Sequence, residues 1–508
     1  MTRATALILL LGGVALAQEA REPREPREPR EDETAPPPVP PPPAPGPPRG
    51  DAAGRERWLS RRLGEIVDSH SELAPARVAV LVVDADTGRT LFARNAAERH
   101  NVASVTKLVT AAAALALLGP EYRFKTALLA DRWDGKDTVE GNLYLRAAGD
   151  PSLGTAGLWS LVNELRLRGI RRVTGSLVID DTFFDENSTP PAYDQRKEDA
   201  AFRAPVGAAS LNDNAVTVRV KAGAPGGAPQ VTVVPASEYF LVKNAAITTE
   251  RGRTAIAVSA RAAGAQTELD VEGTIRAGDE REVRRRIDNP PLYLGATLRA
   301  LLATAGVKVG RLKLGAAPPT ARPLADRASE PLSVLIRDMN KYSNNFMAET
   351  LLKTIGAEVK GPPGTWAKGL DAVRGYLADV GLDRGYRYDN GSGLYDSNRF
   401  SPADLVKILR AASGDFRTGA DFVASLAVAG ADGTLAHRMA GGPAERYIRA
   451  KTGTLKNTIA LAGFAGGTSR PPLAFAILCD EVPEAQQGAA RAMGDEIGAA
   501  LALYADGK

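Results

Sequence analysis

HNVASVTKLVTAAAALALLGP, residues 100–120, holds Ser104 and Lys107, the only Ser-x-x-Lys pair in a chain of 508 residues. From Leu108 to Leu118 the run is apolar or small, with no Gly or Pro, before Gly119-Pro120 stops it. A helix that is apolar all round is a buried helix, and a Gly-Pro pair ends one. Ser104 is therefore expected at the N-terminal end of a core helix, with Lys107 one turn on and on roughly the same face.

This placement suits nucleophilic catalysis. A serine hydroxyl attacks well only when a base removes its proton. A lysine can be that base when desolvation or a second cation favours its neutral form. The N–H groups of a helix N-terminus also point toward an oxyanion forming beside the serine. The same letters would also suit a capping serine followed by a lysine facing solvent. The rest of the chain weighs between the two.

Length and composition narrow the field. A chain of 508 residues is expected to form two or three domains. Its net charge of +4 is small, and Lys and Arg are interspersed with Asp and Glu, so there is no electrostatic footprint for nucleic acid. Cys479 is the single cysteine and lies in an apolar run, which excludes an intramolecular disulfide and points to a core position. The three histidines, His70, His100 and His437, stand in no metal-ligand spacing, so neither a metal nor a cofactor is expected. A Ser-His-Asp triad is not excluded by counting, but nothing supports it.

The first residues read as an export signal: a basic start at Arg3, an apolar stretch Ala4–Leu16, and Ala15-Leu16-Ala17 as a small-x-small cleavage site. The stretch is too short to span a bilayer. Residues 18–52 follow as a REP-repeat and proline-rich segment with almost nothing apolar to pack, an extended spacer. Its functional alternative is an arm touching the cell wall or a membrane surface.

The folded part begins near Ala53. Glu56–Ile66 reads as an amphipathic helix, then Arg77–Asp84 and Arg89–Arg94 as a hairpin leading to Ser104. From about 125 to 325 the texture is β-rich: Gly141–Ala147, Arg172–Asp180, Ala215–Lys221, Gln230–Pro235, Thr254–Ala260 and Thr267–Glu272 are expected strands, with a helix over Tyr293–Ala305. Helices return at Pro331–Asn340, Asn344–Ile355 and Ser401–Ser413. Strands are expected at Arg446–Thr454, Ile459–Gly466 and Pro472–Cys479, and a closing helix over Glu484–Tyr504.

Two further motifs accompany Ser104 and Lys107. Ser343-Asn344-Asn345 is a Ser-x-Asn opening a helix, and Lys451-Thr452-Gly453-Thr454 is the only Lys-Thr-Gly. A second Ser-x-Asn, Ser210–Asn212, has no helix directly behind it. In serine acyl-transfer enzymes that recognise penicillin, these three motifs meet in one cleft.

On these motifs the sequence resembles the class C low-molecular-mass penicillin-binding proteins, the D-alanyl-D-alanine carboxypeptidases/endopeptidases of the penicillin-binding protein 4 type. Further matching blocks are AAGDPSLG (147–154), APVGAASLNDN (204–214), IDNPPLYLGATLRALLATAGVKVG (287–310), MNKYSNNFMAETLLKTIG (339–356), DNGSGL (389–394), AGADGTLAHRM (429–439) and RAKTGTL (449–455). The resemblance covers about 70–508. It implies an α+β fold: a transpeptidase domain like that of β-lactamases, an antiparallel sheet flanked by helices, with two β-rich domains inserted between Ser-x-x-Lys and Ser-x-Asn. The implied division is 1–17 signal, 18–52 spacer, 53–125 with 326–508 peptidase domain, 126–215 with 288–325 inserted domain II, and 216–287 inserted domain III.

The resemblance also implies roles. Ser104 is the nucleophile on the D-Ala-D-Ala carbonyl and Lys107 its base. Ser343 relays a proton to the leaving amine, and Asn345 binds the substrate backbone. Lys451 supplies charge that keeps Lys107 neutral and attracts the terminal carboxylate. Thr452, Gly453 and Thr454 line the substrate strand, the two threonine hydroxyls binding that carboxylate. The N–H groups of Ser104 and Thr454 form the oxyanion hole. The implied partners are peptidoglycan peptides and β-lactams, and the implied location is periplasmic or in the cell envelope. Two departures stand out: Asn390 replaces an Asp, and Tyr395 replaces a small Ser, in a loop where Ser392 reads as a turn residue. A β-lactamase or esterase on the same machinery, and a non-catalytic peptidoglycan-binding scaffold, are the competing readings.

Overall fold

The computed structural model describes residues 46–47, 51–468 and 470–506. The expected export signal, and all of the expected spacer except four residues, lie outside these. Ala52, expected to close the spacer, instead opens the first helix, Ala52–Ser69.

A six-stranded antiparallel sheet forms the frame. Its order is Ala427–Val428, Ile448–Leu455, Thr458–Ala465, Leu473–Asp480, Arg77–Asp84 and Thr90–Arg94. Thr458–Ala465 and Leu473–Asp480 are buried throughout, as continuous apolar runs covered on both faces must be. One face packs on Ala52–Ser69 and the terminal helix Gln487–Asp506, through Leu59, Leu63, Ile497 and Leu501. The other face packs on the helix that follows Ser104.

That helix runs Thr106–Leu118, and every residue from Thr106 to Leu115 is buried. The expectation of an all-round buried helix holds for its first turns only. Leu117 is exposed, because the chain here leaves the core to enter the inserted region. Around it pack Leu332–Tyr342, Asn345–Lys360, Trp366–Asp379 and Pro402–Gly414 in one continuous apolar core.

Beyond Gly119 the chain forms a second sheet in the order Leu312–Leu314, Leu177–Asp180, Thr138–Ala147, Lys125–Trp133 and Arg322–Ala328. The chain enters along Lys125–Trp133 and returns antiparallel beside it along Arg322–Ala328, with Lys125 opposite Ala328. Two small sheets lie between: Glu280–Arg286 with Ala215–Lys221 and Gln230–Val234, and a four-stranded sheet centred on Gln266–Arg276. The β-rich texture of the sequence is thus real, but it concealed the helix Thr155–Leu167. The buried residues Leu158, Leu161, Val162 and Leu165 of that helix have clear helical spacing. The helix Trp366–Asp379 was likewise not expected, although Thr365 caps it by accepting from the Lys368 N–H.

Candidate active site

Ser104 lies in a single 3-10 turn, Ala103–Val105, immediately before the helix Thr106–Leu118, and is partly exposed. The turn is tight: Ala103 takes a left-handed φ of 47° and its N–H is held by the Asn101 side chain at 2.9 Å. A non-glycine residue persists in that region only where its surroundings over-determine it. Two chain segments press on the turn. A Cβ placed on Gly453 would sit 2.6 Å from the Val102 carbonyl oxygen, and Gly393, with φ of +79°, passes directly against the Ala103 carbonyl. Both glycines permit an approach that any side chain would block.

The turn brings Lys107 back onto Ser104. Lys107 is fully buried, and its amine donates to Ser104 Oγ at 3.0 Å, to Asn345 Oδ1 at 2.7 Å and to the Ser392 carbonyl at 2.8 Å. Asn345 is positioned as the first residue of the helix Asn345–Lys360, which Asn344 caps by accepting from the Met347 N–H. Its amide nitrogen donates to the Phe202 carbonyl at 3.1 Å. Ser343 sits in the kink between two helices with a left-handed φ of 57°, and its Oγ accepts from Lys451 at 3.0 Å. Lys451, also fully buried, lies on the strand Ile448–Leu455 and donates as well to its neighbour's carbonyl, that of Thr452, at 2.9 Å. The three sequence motifs therefore meet, from positions up to 347 residues apart in the chain.

Other residues emerge only from the structure. Thr452 Oγ1 donates to Thr434 Oγ1 at 2.8 Å, adding a second hydroxyl beside the Lys-Thr-Gly strand. Thr434 stands in the 429–439 block, which carried the signal without singling out the residue. Ser392 does more than shape a turn, since its carbonyl holds the Lys107 amine. Its hydroxyl meets the Tyr193 hydroxyl at 3.1 Å. The Tyr193 phenol is pushed well above its usual range by burial, so it stays neutral.

The two departures in the loop find a shared physical reason. Asn390 is buried, and its amide nitrogen donates to Pro191 O at 3.0 Å while its Oδ1 accepts the Gly393 N–H at 2.8 Å. An aspartate could accept the second of these but could not donate the first. Tyr395, at a left-handed φ of 62°, packs edge-on to Tyr193 at 6.2 Å, with the Arg196 and Arg203 guanidinium groups 5.5 and 5.6 Å from its ring centre. Both departures thus dock the 389–395 loop onto residues 191–203.

Lys353, one face of the same helix further on, is buried beside Asp185 at 2.6 Å and over the Trp366 ring at 4.4 Å. Burial lowers its pKa, and Asp185 opposes that shift. Among the described residues no group of His, Cys, Asp and Glu side chains is gathered as a metal ion requires.

The pattern of the D-Ala-D-Ala carboxypeptidase 3 (S13) family matches residues 59–501. The chain belongs to that family. A D-alanyl-D-alanine carboxypeptidase from an Actinomadura species is 35% identical over 478 residues, spanning 90% of this chain and 87% of that protein. The D-alanyl-D-alanine carboxypeptidase DacB of Haemophilus influenzae is 27% identical over 386 residues, covering 73% of this chain and 79% of its own. The fold is that of penicillin-binding protein 4 from Haemophilus influenzae, whose crystal structure superposes with a TM-score of 0.73 at 22% identity. That match covers 84% of this chain and 97% of the other. The same protein solved with a bound β-lactam superposes with a TM-score of 0.68. The α+β architecture, an antiparallel sheet with helices on both faces and inserted sheets, is as the sequence indicated.

Proposed function

We propose that this chain is an exported serine-type D-Ala-D-Ala carboxypeptidase and endopeptidase. It acts on peptidoglycan stem peptides through an acyl-enzyme on Ser104 and is acylated there by β-lactams. The observation that carries this reading is the buried Lys107 amine, 3.0 Å from Ser104 Oγ and held by Asn345 and Ser392.

Neutral Lys107 takes the Oγ proton as Ser104 attacks the carbonyl of the penultimate residue. The C–N bond to the terminal D-Ala breaks, and Ser343, polarised by Lys451, passes a proton to the leaving amine. The Ser104 and Thr454 N–H groups face the oxyanion, an arrangement whose loss costs on the order of 3 kcal/mol in other acyl transferases. Lys451 and the paired hydroxyls of Thr452 and Thr434 receive the substrate's terminal carboxylate. Asn345 has a second amide hydrogen, beyond the one on Phe202, for a substrate carbonyl. Water then releases the acyl group.

In this reading residues 52–125 and 326–508 form the peptidase domain, its start moved by one residue to the first helix, 126–215 and 288–325 domain II, and 216–287 domain III. The adjacent entry and return strands support the outer boundary. Residues 1–17 direct export and 18–51 serve as spacer. Among the described residues no helix is long and apolar enough to cross a membrane. Release of D-Ala from a synthetic acyl-D-Ala-D-Ala peptide tests the reading. Wild type should release it, and Ser104→Ala and Lys107→Met should not. Release by Ser104→Ala at the wild-type rate would overturn it.

A further inference from the structure

The residue whose carbonyl holds Lys107, Ser392, is itself held through its N–H by a buried carboxylate. Glu349 and Ser392 are both fully buried. The Ser392 N–H donates to Glu349 Oε1 at 2.8 Å, and Trp366 Nε1 donates to Oε2 at 3.1 Å. The Gly391 N–H faces the same carboxylate. Glu349 lies four residues after Asn345 on the helix Asn345–Lys360, so the two share one helix face. Asn345 reaches Lys107 directly, and Glu349 reaches it through the loop.

The chemistry gives this arrangement a purpose. A neutral amine has two N–H bonds and one lone pair. When the N–H bonds point to Asn345 Oδ1 and the Ser392 carbonyl, the lone pair is left facing the Ser104 hydroxyl. Removing either acceptor frees the amine to rotate. Burying a carboxylate in an apolar helix run is costly unless its oxygens are satisfied. Here burial raises the Glu349 pKa, and the donors from Ser392, Gly391 and Trp366 oppose that shift. A Gln would bring one oxygen and an NH2 group to donors on three sides, so at least one donor would face another donor.

We propose that Glu349 is a positioning residue for acyl transfer. It fixes the 389–395 loop so that the Ser392 carbonyl aims the Lys107 lone pair at Ser104. Trp366 fixes the far oxygen of the carboxylate. This inference rests on the serine-nucleophile reading.

The test is stopped-flow acylation by a fluorescent penicillin over a range of concentrations, which separates the acylation rate constant from the pre-covalent binding constant. Wild type is measured first; absence of acylation there removes the underlying reading, and this inference with it. Glu349→Gln is expected to lower the acylation rate constant by about 10²-fold, the scale of a misplaced catalytic group, while leaving pre-covalent binding unchanged. A folded Glu349→Gln variant with the wild-type rate constant, or with only binding weakened, overturns the proposal. If Glu349→Gln shows no cooperative melt, Trp366→Phe decides. That variant keeps an aromatic ring for Lys353 and removes the donor to Oε2, together with part of the buried indole's volume. A smaller fall in the same rate constant is expected, and an unchanged one overturns the proposal.

Discussion

Gly453→Ala would place a methyl group where the structure leaves no room for one. Its Cβ would lie 2.6 Å from the Val102 carbonyl oxygen and 3.2 Å from the Cβ atoms of Ala103 and Ala460. Ordinary van der Waals contact begins near 3.4 Å, so the strand and the Ser104 turn must part by about 0.8 Å toward Val102. Neither partner gives easily. The strand is paired with Thr458–Ala465 over its whole length, Gly453 opposite Ala460, and the turn is pinned by Asn101 and Gly393. Overpacking of this kind costs about 1–3 kcal/mol of stability. The larger effect falls on chemistry, because the displacement separates Ser104 from Thr454 and Lys451. A misplacement near 1 Å costs about 10²-fold in rate. The assay is acylation by a fluorescent penicillin, followed beside a thermal melt. A variant with wild-type acylation rate and melting temperature would refute the reasoning that the glycine sets the distance between strand and nucleophile.

Burial raises the Asp181 carboxyl from its usual 3.8 to about 6, opposed by the Ala209 and Ala208 N–H groups and by Lys353. The unfolded chain therefore ionises first as pH rises, and stability falls between about 3.8 and 6, by up to ~3 kcal/mol at about 1.4 kcal/mol per pH unit. Chemical denaturation of wild type and Asp181→Asn at pH 4 and pH 7 should show this slope in wild type only; parallel curves would contradict it. Thr434→Val removes the hydroxyl partner of Thr452 and should weaken pre-covalent β-lactam binding by about 10- to 100-fold, on the order of one hydrogen bond to a charged group, with little change in the acylation rate constant; the same concentration series reads it. Burial pushes the Cys479 thiol up to about 12, so it should resist a thiol reagent at pH 8 until the protein is unfolded. Reaction in the native state would place it elsewhere.

The sequence made some parts of this molecule legible and hid others for physical reasons. The helix Thr106–Leu118 was readable because apolar residues on every side have one explanation, burial. The strands Thr458–Ala465 and Leu473–Asp480 were readable as short, near-continuous apolar runs, and the strand carrying Lys451 from its Lys-Thr-Gly motif. Ser104, Lys107, Ser343, Asn345 and Lys451 were named from motifs alone, and they do converge. Tyr193, Pro191 and Phe202 were not found, because their contacts with Ser392, Asn390 and Asn345 span 143 to 199 residues, and no local period encodes such a separation. Thr434 was hidden in the same way, its partner lying on another element. Glu349 did leave a trace: it is an acidic residue in a helix buried without a break from Phe346 to Ala357. The helix Thr155–Leu167 leaves one too, the spacing of Leu158, Leu161, Val162 and Leu165, masked by flanking segments that read as strands.

The measurement that tests the central claim most directly is the intact mass of the protein after mixing with benzylpenicillin, for wild type and Ser104→Ala. The account predicts a stable adduct of one drug mass on wild type and none on Ser104→Ala. Rapid turnover of the drug without an adduct would contradict the peptidase reading in favour of a β-lactamase. Neither adduct nor turnover would leave the convergent motifs as the remains of a non-catalytic scaffold.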